Sequence, residues 1–184
     1  MVALVIGVPD SGKSALAEDL AMKLSRDGKR IYLATMEILD DAGKKRVEKH
    51  RKLREGKGFF TIEAPVKISE AVEDEPDLKD ATVLVECISN LVGNMMHDDD
   101  FLENKAGNSS IGDVVSAAVL DVTEICNKAK NVVIVTNSFA CEEGFDEETK
   151  EYVRNLDAVN DRLREAADEI YEFVEGEWLR SENN

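Results

Sequence analysis

Cysteine is scarce: Cys87, Cys126 and Cys141 are the only three in 184 residues. Their number is odd, they lie far apart and no Cys-x-x-Cys pair exists, so neither a disulfide frame nor a cysteine-built zinc site is expected. Aromatic residues are also few, at 5% against 43% hydrophobic and 34% charged, a balance ordinary for a soluble α/β protein. Basic residues fall well short of acidic ones, 23 against 39, for a formal net charge of −16. Such a chain repels phosphate backbones, which argues against nucleic acid as a partner; the same excess suits solubility or salt adaptation. No stretch approaches the roughly 20 apolar residues of a membrane span. The apolar start is too short and too strand-like for a signal peptide, so a cytoplasmic location is expected. Neither an internal repeat nor a domain-scale linker is visible, and residues 1–184 suit a single α/β domain.

Against these absences stands the run Gly7-Val8-Pro9-Asp10-Ser11-Gly12-Lys13-Ser14. It matches the phosphate-loop pattern G-x-x-x-x-G-K-[ST] at every fixed position. Val2-Ala-Leu-Val-Ile6 before it reads as a buried strand, and Ala15 to Arg26 after it places Leu16, Leu20 and Leu24 at helical spacing. A glycine-rich turn between strand and helix gathers backbone N–H groups at the positive end of a helix dipole, a ready-made phosphate site. Lys13 would reach the terminal phosphates and the Ser14 hydroxyl would hold a magnesium ion. A nucleoside triphosphate is the expected ligand.

Strand and helix signals then alternate. Arg30 to Thr35 reads as a second strand, and Asp40-Asp41 can cap a helix running to about Arg54, closed by Gly56 and Gly58. Phe59 to Ile62 is a short strand, and Pro65 opens a weak helix through Glu73. Ala81 to Glu86 is a buried strand, Ser89 to Met96 looks helical, and Asp98 to Gly112 reads as an exposed loop. A long amphipathic helix, Asp113 to Lys130, precedes the buried strand Val132 to Val135. After an irregular stretch, Glu147 to Asp168 reads as a helix, and Glu169 to Arg180 as two short strands around Glu175-Gly176. This alternation predicts a mostly parallel sheet with helices on both faces and a short C-terminal antiparallel hairpin.

Two further features carry chemistry. The strand Thr82 to Glu86 ends in a carboxylate at the edge where such sheets line a nucleotide crevice, so Glu86 could hold the metal or activate a hydroxyl. The plain alternative is a surface acid. The second feature is a basic cluster, Lys44, Lys45, Arg46, Lys49, Arg51, Lys52, Arg54 and Lys57, around His50. On a helix Arg46, His50 and Arg54 share a face. Two flanking guanidinium groups disfavour the charged imidazole, leaving a lone pair beside two phosphate-binding forks, which suits attack on a nucleotide phosphate. Periodicity alone favours a solvated basic face with an incidental histidine. His97, beside Asp98-Asp-Asp100, reads as structural.

With their neighbours these segments resemble the bifunctional adenosylcobinamide kinase / adenosylcobinamide-phosphate guanylyltransferase family of cobalamin biosynthesis. The resemblance runs from the phosphate loop through Tyr32-Leu-Ala-Thr35, Ile38-Leu-Asp-Asp41, Arg46-Val-Glu-Lys-His50-Arg51 and Thr61-Ile-Glu63-Ala-Pro65. It continues through Leu84-Val-Glu86-Cys-Ile-Ser-Asn90, Asn94, Val135-Thr-Asn137 and Asn160 to Ile170. It implies a RecA-like phosphate-loop fold and a homotrimer. The implied chemistry is phosphorylation of the aminopropanol hydroxyl of adenosylcobinamide by ATP or GTP, then transfer of GMP from GTP onto that phosphate. His50 matches the family's histidine that carries the GMP. Gly7 to Ser14, Ala34-Thr35-Met36, Arg51-Lys52-Leu53-Arg54, Glu63 and Glu86 match its nucleotide-contacting segments, with Arg46 beside them and Ser14 and Glu86 implied at magnesium. The chain differs where Arg54-Glu55 and Phe59-Phe60 stand for the family's Arg-Pro and tryptophan, and where Asn137-Ser138-Phe139-Ala140 stands for Asn-Glu-Val-Gly. Two other readings fit the residues: a phosphate-loop kinase for another small alcohol, and a non-catalytic nucleotide-binding protein.

Overall fold

The computed structural model describes residues 1–38, 40–98, 111–140 and 142–183, without the side chains of Ala42, Arg46, Leu53 and Ile111. In chain order the elements are β1 (Val2–Gly7), α1 (Lys13–Ser25), β2 (Arg30–Ala34), α2 (Asp41–Arg54), β3 (Phe59–Glu63) and α3 (Ile68–Ala71). A 3-10 turn at Leu78–Asp80 leads to β4 (Thr82–Glu86) and α4 (Ile88–His97). Then come α5 (Ile111–Lys128), β5 (Asn131–Asn137), α6 (Glu147–Ala166), β6 (Glu169–Val174) and β7 (Glu177–Glu182). The strands make one sheet in the order β3-β2-β4-β5-β1-β6-β7. All neighbours pair in parallel except β6 and β7, which form the antiparallel hairpin expected around Glu175-Gly176.

Both sheet faces are covered, which is why the central strands read as continuous apolar runs. Successive side chains go to opposite faces. Ala3, Val5, Leu84, Val133 and Val135 pack with Ala17, Leu20 and Ala21 of α1. Leu4, Ile6, Val83, Val85 and Ile134 pack on the other face with α4, α5 and α6, through Leu91, Val122, Ile125, Leu156 and Val159. The edge strands β3 and β7 carry mostly half-exposed or exposed residues, as strands with a single neighbour do.

Element ends differ from the expectations where side chains far along the chain intervene. The helix expected from Pro65 to Glu73 shrinks to Ile68–Ala71. Its start is set by the buried carboxylate of Asp121 on α5, which accepts from the backbone N–H of Ile68 (2.9 Å) and Ser69 (2.8 Å). β5 extends one residue earlier and two later than its apolar core, with the Asn131 amide donating to Thr82 Oγ1 at 3.0 Å. The exposed loop expected over 98–112 lies, for 99–110, outside the described residues.

Register brings the functional ends together. Gly7 pairs with Asn137, Ala34 with both Glu63 and Glu86, and Glu86 with Val135. The carboxyl ends of β1, β2, β4 and β5 therefore lie side by side, at the edge where open α/β sheets take ligands.

Candidate active site

The phosphate loop leaves β1 at Gly7, where any side chain would collide: a Cβ there would lie 2.6 Å from Ser11 Oγ and 3.2 Å from the Trp178 ring. Two left-handed residues shape the turn, Asp10 (φ 60°) and Gly12 (φ 84°), the latter directly before α1. No side chain caps α1 and no acid occupies its first turn, so its leading N–H groups face the crevice without a competing carboxylate. Lys13 Nζ folds back onto the Val8 carbonyl at 3.2 Å. Burial pushes the Lys13 ammonium below its ordinary pKa, against the pull of Glu86 and Asp10. The Ser11 hydroxyl is buried without a partner.

Opposite the loop, Glu86 closes β4 at 9% exposure. Its Oε1 accepts a short hydrogen bond from the Ser14 hydroxyl, and its Oε2 is buried without a partner. Burial raises the Glu86 carboxyl above its ordinary range, partly offset by the Ser14 bond and by His50. His50 Nδ1 lies 3.9 Å from Glu86 Oε1, beyond hydrogen-bond reach, and has no hydrogen-bond partner. A carboxylate therefore lies beside His50, a neighbour that the spacing of α2 alone does not point to. The Arg54 guanidinium lies 3.4 Å from the centroid of the Tyr32 ring, and the Arg46 side chain lies outside the described residues.

Thr35 ties this edge together. Its N–H donates to the Glu86 carbonyl (3.0 Å), its hydroxyl to the Cys87 carbonyl (2.7 Å), and the same Oγ accepts from the Cys87 N–H (2.7 Å). Its carbonyl accepts from the Asn94 amide at 2.7 Å. Ala34 and Met36 flank it, both half-buried. Arg51 pairs with Glu63 at 2.5 Å, yet their side chains are 58% and 55% exposed, so water and salt screen the pair. Arg51, Lys52 and Arg54 line, with Phe59 and Thr61, an open pocket of about 590 Å³ beyond the end of α2. The Leu53 side chain lies outside the described residues. His97 faces Glu148 at 3.4 Å on the surface.

Two groups here were not named as site residues from the sequence. Glu18, 1% exposed on α1, pairs with Lys57 Nζ at 2.5 Å and keeps Oε1 buried without a partner. The available signal was an acid beside Ala17, Leu20 and Ala21 on the buried side of a short helix. Asn137 ends β5 beside Gly7; its amide N–H donates to Ser89 Oγ at 2.6 Å and its Oδ1 is buried without a partner. Among the described residues no group of three or more His, Cys, Asp or Glu is placed to hold a metal ion. None of their helices is long and apolar enough to cross a membrane.

Comparison with known proteins adds a family to this geometry. Residues 3–180 match the family model described as cobinamide kinase / cobinamide phosphate guanyltransferase. The bifunctional adenosylcobalamin biosynthesis protein CobU of Escherichia coli (strain K12) is 28% identical over 180 residues, covering 96% of this chain and 97% of that protein. The CobU of Salmonella typhimurium (strain LT2) is 28% identical over 184 residues, with the same coverage of both chains. Among solved structures, an ATPase domain matches at a TM-score of 0.51 and 10% identity, covering 94% of this chain and 69% of that one. That likeness concerns the fold, a phosphate-loop α/β sheet.

Proposed function

The chain belongs to the cobinamide kinase / cobinamide phosphate guanyltransferase family, a family of transferases in cobalamin biosynthesis, and we propose on that premise that it carries out both reactions at this one crevice. In the kinase step the hydroxyl of the corrinoid's aminopropanol arm attacks the γ-phosphorus of ATP or GTP; the bond from that phosphorus to the β–γ bridging oxygen breaks, the nucleoside diphosphate leaves, and the hydroxyl proton passes to solvent. The loop N–H groups bind the phosphates, and Lys13 neutralises charge that grows on the transferred group. The hydroxyl of Ser14 and the carboxylate of Glu86, whose Oε2 has no protein partner, are hard oxygen donors that suit magnesium. The ion would supply charge neutralisation on the phosphate oxygens.

In the guanylyl step Nε2 of His50 attacks the α-phosphorus of GTP. The bond to the β-phosphate oxygen breaks, pyrophosphate leaves, and GMP remains on the imidazole. Positive charge grows on the ring as the bond forms, and the Glu86 carboxylate on the Nδ1 side stabilises it. An oxygen of the corrinoid phosphate then attacks the same phosphorus and frees His50. The observation that carries this reading is the short chain of contacts Ser14–Glu86–His50, which joins the phosphate loop to the imidazole through one carboxylate. A single α/β domain and a cytoplasmic location, read from the sequence, accompany the proposal, and the family resemblance adds a homotrimer.

Mass spectrometry after mixing with GTP and magnesium tests it. The wild type should gain a GMP on His50 that is labile in acid and stable in alkali. His50→Ala should gain none and keep appreciable cobinamide phosphorylation, since the phosphate loop and Glu86 are intact. An adduct persisting in His50→Ala, or mapping to another residue, refutes the assignment.

A further inference from the structure

α2 carries His50 but has little apolar surface to hold it in place. Of its fourteen residues only Ala42, Val47 and Leu53 are apolar, apart from Gly43. Lys44, Lys45, Glu48, Lys49, Arg51 and Lys52 are all exposed. An amphipathic helix is ordinarily docked by an apolar stripe covering about a third of its circumference; this one has few apolar residues, and polar contacts fasten both of its ends. At the N-terminal end Asp40 accepts from the Gly43 N–H at 2.6 Å and caps the helix. At the other end Arg54 lies over Tyr32, and the chain turns through Glu55 and Gly56 to Lys57.

Lys57 is fastened from three sides. Its N–H donates to the Arg54 carbonyl at 3.0 Å, which closes the turn onto α2. Its carbonyl accepts from Arg30 Nη1 at 2.6 Å, and Arg30 also donates to Ser25 and Arg26 at the end of α1. Its ammonium reaches Glu18, a carboxylate almost wholly withdrawn from water on the helix that begins with Lys13 and Ser14. A buried acid on that helix, paired with a cation just past the end of α2, links the two catalytic elements directly.

We propose that the Glu18–Lys57 ion pair is a latch that holds the His50 helix against the phosphate-loop helix, making Glu18 and Lys57 positioning residues for guanylyl transfer. The proposal rests on the guanylyl-histidine reading for its catalytic consequence. The kinase step, carried by the loop, Lys13 and Glu86, does not require α2 to hold its place. Loss of the latch should therefore separate the two activities.

Lys57→Met keeps most of the aliphatic stem and removes the charge. The rate of GMP transfer to His50 should fall by about 10–100-fold, the scale of an ångström-sized misplacement of a reacting group. kcat for cobinamide phosphorylation should stay within about threefold of wild type on the same argument. Glu18→Gln/Lys57→Met, which leaves no unpaired charge in the interior, should fold where the single variant does not and show the same split. Native-state hydrogen exchange on the same samples should show faster exchange at α2 amides while α1 holds its protection. A guanylyl rate unchanged in either variant, or both activities falling in proportion, overturns the latch. If the wild type itself forms no adduct, the guanylyl-histidine reading falls instead, and exchange alone decides the latch: unchanged protection of α2 overturns it and selective loss supports it.

Discussion

Replacing Glu86 by Gln should change how stability depends on pH and should lower catalysis, because burial disfavours the ionised form of this carboxyl in the folded state. Burial raises its carboxyl above the ordinary carboxylate value, so the native state binds that proton more tightly than the unfolded chain does. Below the unfolded value both states are protonated and the group contributes nothing. As pH rises from there through the raised native value, stability falls, by about 1.4 kcal/mol for each unit of elevation. Gln keeps an oxygen for the Ser14 hydroxyl and has no proton to lose, so the decline should vanish. Its extra N–H pair enters the place of the partnerless Oε2 and costs about 1–3 kcal/mol, independent of pH. The signature is therefore the slope rather than the offset. Urea unfolding measured from pH 5 to 8 should give a difference curve, wild type minus variant, that descends with pH. His50 is the other ionisable group in contact and opposes the elevation, so the comparison is repeated in a His50→Ala background, where the descent should steepen. Magnesium-dependent cobinamide phosphorylation by Glu86→Gln should fall by about 10²–10³-fold, the scale for losing one preorganised electrostatic group. A flat or rising difference curve would show that burial does not dominate at this site. A magnesium titration of turnover identical to wild type would falsify a metal-side role for Glu86.

Two other substitutions probe the loop and the far face of the sheet. Lys13→Ala should lower cobinamide phosphorylation by about 10²–10³-fold with the unfolding midpoint little changed; turnover like that of the wild type would remove Lys13 from the transfer step. Asp121→Ala strips the acceptor from the buried N–H groups of Ile68 and Ser69 and should cost about 2–4 kcal/mol in urea unfolding, with Asp121→Asn recovering part of it; a loss below about 1 kcal/mol would mean that water replaces the cap.

The sheet was legible because its signals are local. β1, β4 and β5 announce themselves as apolar runs, and α4 and α5 carry apolar residues at helical spacing on their buried faces. The phosphate loop was legible for the same reason, since Gly7 and Gly12 answer constraints set within a few residues. The order of strands was not legible. Nothing near β1 says that β5 and β6 flank it, because that pairing joins residues more than a hundred positions apart. The short α3 shows the same limit: its first turn is set by Asp121, some fifty residues later.

The surroundings of His50 were the least legible part, and the reason lies in how α2 is held. Periodicity reports which face of a helix is buried when apolar residues mark that face, and α2 has almost none. Reading its face by spacing alone placed Arg46, His50 and Arg54 together and left out what lies opposite. The partner of His50 comes from the end of β4, and the anchor of the α2 end comes from the buried side of α1. Arg54 also sets its guanidinium over the Tyr32 ring, a contact that the spacing of α2 does not announce. Each of these is a polar contact between distant segments, made where a charge has left water and needs one particular partner. Sequence composition records that the charges exist. Only the packing of the sheet decides which acid meets which base, and here it sets Glu86 between the phosphate-loop serine and the histidine of the basic helix.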